Sequence, residues 1–375
     1  MYRKLRKQII MRRINLKALA LLTLTMAFAL TAAAAPRGAK QKAAVRWSED
    51  KANAWYAQLP WMSGCNYTPA TAINQIEMWS KDTYDPVQID KELGWAEELG
   101  FNTMRVFLSS VVYKNDPSGL KKRINNFLDI CSRHGIRPFF VFFDDCWAED
   151  SHYGKQPAPK TGVHNSGWVQ DPPVPLRADT VKLYKELGKY VKDIVSTFRN
   201  DKRILMWDLY NEPGNRGHLA ASLPLLKKAF EWARSANPSQ PLTSAIYTLD
   251  KEFAPLSAFQ LENSDVISYH NYRPRPDHEA EIRFLQGFNR PLVCSEYMAR
   301  PNGSTFATIM PLLKENKVVA INWGFVSGKT NTIYAWGKPM PDGSEPKVWF
   351  HDIYRQEKTP FDQKEVDLIK KLNGK

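Results

Sequence analysis

The sequence predicts an α/β fold of the (β/α)8 TIM-barrel type in a single domain. From Trp61 onward, short apolar runs alternate with amphipathic stretches, the rhythm of a parallel sheet covered by helices. Eight such runs can be counted, over a length that suits one barrel domain. No Gly-rich turn of the GxGxxG or GxxxxGK[ST] kind follows any of them, which argues against an open, doubly wound nucleotide-binding sheet.

The elements follow in order. A first strand at Trp61–Asn66 precedes a helix at Pro86–Leu99, which ends on Gly100 at the C′ position. A second strand, Thr103–Leu108, leads to a helix at Leu120–His134 that ends in the same way on Gly135. The third strand, Arg137–Phe143, runs into the longest stretch without evident structure, Asp144 to Asp179. A loop of that length in a compact domain is usually functional. After a barrel strand it overhangs the C-terminal face, where barrels keep their active sites. The remaining strands are read at Ile204–Asn211, Leu242–Ala245, Val266–His270, Leu292–Glu296 and Val318–Trp323. Helices are read between them at Thr180–Phe198, Leu219–Ala236, Lys251–Leu261, Glu279–Phe288 and Thr305–Asn316. Two more close the chain, one including Trp349–Arg355 and one near Gln363–Leu372.

The N-terminus reads differently. Residues 1–35 combine a basic start, an apolar run from Ala18 to Leu30 and small residues to Ala35, the pattern of an export signal. Residues 36–50 read as a polar lead-in and 51–375 as the barrel domain. The expected location is secreted or periplasmic, with no membrane span after cleavage. The first 35 residues hold seven basic and no acidic side chains, so +6 of the formal +13 remains on the rest. That modest charge, without a clustered basic stripe, does not suggest nucleic acid. Cys65, Cys146, Cys131 and Cys294 show no CxxC spacing, so no zinc site is indicated, and buried free thiols are expected. No metal or organic cofactor is implied, and a monomer is expected.

Two segments carry chemistry. In Trp207-Asp208-Leu209-Tyr210-Asn211-Glu212-Pro213 an apolar strand runs into Glu212 and is ended by Pro213, which cannot donate to the sheet. In Pro291-Leu292-Val293-Cys294-Ser295-Glu296-Tyr297 another apolar strand ends in a single carboxylate, which is costly there unless it is used. Either alone is an ordinary strand end. Together they put two carboxyl groups at the mouth of one barrel, the requirement for hydrolysing a glycosidic bond.

On these residues the chain resembles clan A of the glycoside hydrolases, and family 5, the cellulase and mannanase-like group, most closely. The resemblance implies retention of anomeric configuration, an acid/base Glu after Asn on the fourth strand, and a nucleophilic Glu on the seventh. Those roles fall on Asn211, Glu212 and Glu296. It further implies an Arg on the second strand (Arg105), a His-x-Tyr on the sixth (His270, Tyr272) and a Trp closing the eighth (Trp323). Arg105 and Tyr272 would hold Glu296 ionised, Asn211 would take the sugar 2-hydroxyl, His270 would help keep Glu212 protonated, and Trp323 would floor the sugar.

One departure stands out. Family 5 members commonly carry a His at the end of the third strand, where this chain has Asp144-Asp145-Cys146-Trp147. Asp144, Asp145 and Trp147 are therefore expected substrate contacts. The expected partner is a poly- or oligosaccharide of β-glucan, mannan or xylan type. An exo-acting β-galactosidase or β-mannosidase and a non-catalytic carbohydrate-binding barrel are the alternatives. An open groove flanked by Trp79, Trp147 or Trp168 would mean endo action, and a blind pocket exo action.

Overall fold

The computed structural model describes residues 45–375. The expected export signal and most of the lead-in lie outside them. No helix among the described residues is long and apolar enough to cross a membrane.

Eight parallel strands form the barrel with helices outside. In chain order the elements are α1 (Glu49–Ala57), β1 (Ser63–Asn66), α2 (Gln75–Trp79), α3 (Pro86–Glu98), β2 (Thr103–Phe107), α4 (Ser110–Asn115), α5 (Pro117–Arg133) and β3 (Phe139–Val141). They continue with α6 (Thr180–Phe198), β4 (Trp207–Asn211), α7 (Leu223–Ser235), β5 (Leu242–Ala245), α8 (Ala254–Asn263) and β6 (Ile267–His270). The last are α9 (Arg275–Gln286), β7 (Leu292–Tyr297), α10 (Phe306–Glu315), β8 (Val319–Asn322) and α11 (Gln363–Asn373). Every strand residue is buried, as expected where side chains fill the barrel on one face and meet helices on the other.

The strands pair in the order β5-β4-β3-β2-β1-β8-β7-β6. The seam between β5 and β6 closes through Ile246, whose N–H donates to Ser268 O and whose carbonyl accepts from His270 N, both at 3.0 Å. Register shifts fall at Asp208–Asn211, Tyr269–His270 and Cys294–Tyr297. Such irregularities re-aim side chains beside active sites, and all three lie at C-terminal strand ends.

The opposite end is sealed. Met62, Phe139, Leu205, Met206, Val266, Val293, Val319 and Ile321 plug the N-terminal mouth, with Trp55, Tyr56 and Leu59 packed beneath. Helix α1 starts inside the expected lead-in. Ser48 caps it, its hydroxyl accepting from Lys51 N at 3.1 Å. Trp61 Nε1 then donates to Val318 O at 2.8 Å.

Trp349–Arg355 is not helical. Its donors are taken by neighbouring segments: Phe350 N by Ile333 O, and Ile353 N and Tyr354 N by Phe325 O. Tertiary pairing there replaces the i→i−4 ladder. Trp79 is likewise no groove residue. It is fully buried, donates Nε1–H to Phe107 O at 2.7 Å, and packs against Tyr84, Phe127 and Phe140. Trp79→Phe orphans that carbonyl, and urea denaturation should show a loss of about 1–3 kcal/mol.

Candidate active site

The site is organised from Arg105 on β2. Its side chain is fully buried, and its five N–H donors make five hydrogen bonds to four acceptor oxygens. Nε and Nη2 donate to Asp208 Oδ2 at 3.0 and 2.8 Å, and Nη2 also to Asn211 Oδ1 at 2.6 Å. Nη1 donates to Asn66 Oδ1 at 2.9 Å and to Glu296 Oε1 at 2.8 Å. One guanidinium thus joins β1, β2, β4 and β7. Asp208 and Asn66 were not singled out in the sequence. A charge in the middle of the apolar Trp207–Asn211 strand was the available signal, because a buried carboxylate demands a partner.

Glu296, on β7, receives a second donor, Tyr272 O–H, on Oε2 at 2.7 Å. Glu212 follows β4 directly. Its φ of 45° lies in the left-handed region, where a side chain other than glycine's costs of order 1–3 kcal/mol and is found mainly at functional sites. Glu212 Oε1 lies 2.6 Å from His270 Nδ1, and the same nitrogen lies 3.4 Å from Glu296 Oε2. One ligating atom from each of Glu212, His270 and Glu296 falls within 4.8 Å of the others. A divalent cation would find three ligands there. The Arg105 guanidinium already occupies Glu296 Oε1, however, and a proton shared between the carboxyls fits the surroundings better.

The electrostatics separate the two glutamates. Burial pushes both carboxyls above the usual range. Around Glu296, the positive Arg105 and the Tyr272 hydroxyl pull the other way. Around Glu212 the donors are neutral, the Cys146 thiol at 3.0 Å and the Asn215 amide at 2.5 Å, both on Oε2. Two carboxyls this close cannot both ionise cheaply, so the pair retains one proton. Arg105 donates directly to Glu296 and to neither oxygen of Glu212, which favours Glu212 as the holder of that proton. Burial also lowers His270 to about 4, so its imidazole is neutral at neutral pH.

A cavity of about 830 Å³ opens over these groups. Asn211, Trp323 and Trp147 line it, as does Trp168, and so does Trp336, which the sequence did not flag. Trp323 packs edge-on to Phe107 and Trp168, each with ring centroids 6.0 Å away. Trp147 stacks on His164 at 5.3 Å and Trp336 stands on Tyr272 at 4.8 Å. Trp336 Nε1 donates to His164 Nε2 at 3.2 Å, so the loops after β3 and β8 form one aromatic wall.

The paired aspartates divide. Asp144 lines the cavity and accepts from Asn211 Nδ2 at 2.8 Å and Trp168 Nε1 at 2.8 Å. Asp145, expected to touch substrate, is fully buried behind the wall. Its oxygens are taken by Arg177, Tyr210, Gly214 N and Ser222, which fastens the loop carrying Glu212 to the loop after β3. The four cysteines are free and buried.

No protein-family profile matches the sequence, and no curated protein matches it significantly. Solved structures match the fold across most of the chain. An exo-β-1,4-mannosidase from Opitutaceae bacterium strain TAV5 matches with a TM-score of 0.58 at 16% identity. The match covers 84% of this chain and 59% of that one, so this chain spans under two thirds of the mannosidase. A GH5_18 protein from Streptomyces cattleya, solved with Manβ1-4GlcNAc, matches at 0.56 and 14% identity, covering 83% of this chain and 80% of that one. A broad-specificity GH5-4 endoglucanase from Clostridium longisporum matches at 0.56 and 11% identity, covering 86% and 98%.

Replacing Arg105 by Met leaves Asp208 and Glu296 buried without their cation. Such a loss costs about 3–5 kcal/mol, and thermal and denaturant unfolding should both show it. Asp145→Ala should act locally: limited proteolysis should cut within 146–178 faster than in the wild type, while far-UV circular dichroism stays the same.

Proposed function

We propose that this chain is a retaining glycoside hydrolase of the family 5 type, exported from the cell, that cleaves β-linked mannosides or glucosides. The observation that carries the reading is the pair Glu212 and Glu296, with carboxyl oxygens within 4.8 Å and opposite surroundings. Retaining enzymes hold their carboxyls about 5–5.5 Å apart, and inverting ones leave about 6.5–9.5 Å for a water. Export rests on the pattern of residues 1–35.

The chemistry follows from which carboxyl keeps the proton. Glu296 attacks the anomeric carbon and forms a C–O bond to it. The glycosidic bond breaks with its electron pair moving to the leaving oxygen, which takes the proton of Glu212. The carboxylate of Glu212 then removes a proton from water, whose oxygen attacks the same carbon and releases Glu296. Positive charge develops at the anomeric centre beside the carboxylate of Glu296, which Arg105 and Tyr272 hold. Asn211 is placed to meet the 2-hydroxyl, and Trp323 the sugar face.

An exo-acting variant of the same reaction is favoured by the aromatic wall. The loops after β3 and β8 are joined there by Met340 N to Gly162 O at 3.0 Å and Asn165 N to Thr330 O at 2.8 Å, which closes one side of the cavity.

Aryl β-mannosides and β-glucosides, assayed beside mannan and β-glucan, test the reading. Glu296→Ala should abolish turnover, and azide should rescue it to give the α-glycosyl azide. Rescue giving the β-azide, or full activity in Glu296→Ala, would sink the assignment. Glu212→Ala should cost roughly 10²–10⁴ in kcat with a poor leaving group. Because burial raises both carboxyls, the kcat/KM profile should be a bell displaced toward neutral pH. Its acid limb marks protonation of Glu296 and its alkaline limb the loss of the Glu212 proton.

A further inference from the structure

The thiol of Cys146 stands beside Glu212, 3.0 Å from Oε2, where the proton transfers described above make no use of sulfur. It lies just past β3, in the segment that departs from the family pattern. Its surroundings restrict where its hydrogen can point. Asn211 Oδ1 accepts from Arg105, so its Nδ2 must face Asp144 Oδ1 and, at 3.4 Å, Cys146 Sγ. Asn215 Oδ1 accepts from Arg216 N at 2.6 Å, so its Nδ2 must face Glu212 Oε2 and, at 3.4 Å, Cys146 Sγ. Neither amide can turn over without losing its own partner. The sulfur therefore accepts two N–H groups. Asp144 Oδ1 is already filled by Asn211 Nδ2 and Cys146 N. The single S–H points at Glu212 Oε2, 3.0 Å away.

Glu212 Oε2 thus receives two donors, S–H and Asn215 N–H, and has no lone pair left for a proton of its own. The remaining place is Oε1. There the proton bonds to His270 Nδ1 at 2.6 Å, which puts the imidazole hydrogen on Nε2. That nitrogen is buried without a protein partner among the described residues, and its ring lines the cavity.

We propose that Cys146 and Asn215 are positioning residues that jointly cap Oε2 of Glu212 and so confine the acid proton to Oε1. The proposal rests on the glycosidase reading for its consequence. The proton leaves Oε1 for the departing oxygen in the first step and returns to Oε1 from water in the second. Other groups also face Glu212: Arg105 from β2, Asp144 and Asp145 after β3, Tyr247 after β5, His270 and Tyr272 at β6, and Glu296 from β7. Each stays in place in the variants that test the idea.

The experiment compares wild type, Cys146→Ala, Cys146→Ser and Asn215→Ala on aryl glycosides graded by leaving-group acidity. Without the thiol donor the proton can settle on Oε2, away from His270. Cys146→Ala should then lose roughly tenfold in kcat/KM on the poorest leaving group, part of the whole general-acid contribution, and almost nothing on a dinitrophenyl glycoside that needs no acid. Its alkaline limb should move to higher pH, because a donor to the carboxylate has been removed. Cys146→Ser keeps an O–H donor and should bring both effects back toward wild type. An Ala variant with unchanged leaving-group dependence and pH profile, or a Ser variant as impaired as the Ala one, overturns the proposal.

A second readout does not depend on turnover. The sulfhydryl stretching band lost in Cys146→Ala should shift in Glu212→Gln, since its acceptor changes from a carboxyl to an amide. A band that stays put overturns the contact. If the wild type cleaves no glycoside while the band behaves as expected, the function fails and the hydrogen-bond assignment stands.

Discussion

The Arg105 guanidinium is the constraint on which the rest of the site depends. A buried cation is tolerable only if every N–H finds an acceptor and the charge is balanced nearby. Here four acceptor oxygens from three other strands take the five bonds. The same bonds that make the cation bearable therefore fix how β1, β2, β4 and β7 stand relative to one another. They orient Asn211 through its carbonyl oxygen and hold Glu296 through Oε1. Arginine suits this place because its fork is planar and always charged, whereas lysine would offer three donors from a single point.

From that anchor the asymmetry between the glutamates follows. Glu296 is held by a cation and a phenol. Glu212 is held by a thiol, an amide and an imidazole that burial keeps neutral. Both are buried, so the difference between them lies in their donors. The left-handed backbone at Glu212 belongs to the same arrangement. Its loop is fastened by Asp145, which accepts from Gly214 N and Ser222 while pairing with Arg177. A conformation that would relax in isolation is kept by contacts behind it.

Much of this was legible in the sequence, for a physical reason. A carboxylate at the end of a buried apolar strand is expensive, so Glu212 and Glu296 stood out against their neighbours, and the family resemblance then added Arg105 and His270. The barrel itself was legible as eight apolar runs, although their bounds came out one to three residues shorter at several ends. What failed depended on facing. Successive residues leaving a strand point opposite ways, and the sequence does not say which of Asp144 and Asp145 turns inward. Nor does a tryptophan state its surroundings: Trp79 is core, while Trp336 comes from the stretch between β8 and α11, whose path is set by tertiary pairing. Helix α1 was hidden because its sequence has little amphipathic pattern, and Trp349–Arg355 looked helical only until its donors were found bonded to other segments.

The β5–β6 seam has a consequence for how the molecule assembles. Because the hydrogen-bonded order runs from β5 through β1 to β8 and on to β6, the seam falls mid-chain, and the first and last strands are neighbours. Strands β1 to β5 can zip up as one ribbon and β6 to β8 as another, each from contacts close in sequence. Glu212 travels with the first ribbon, and Glu296 and His270 with the second. While the ribbons are apart, each carboxyl remains hydrated and indifferent to the other. Their mutual repulsion and dehydration belong to the joined barrel, in which β1 pairs with β8 and Arg105 lies beside Glu296. The pairing of the two carboxyls therefore needs both ribbons in place, because Arg105 and Glu296 come from opposite sides of the β1–β8 boundary.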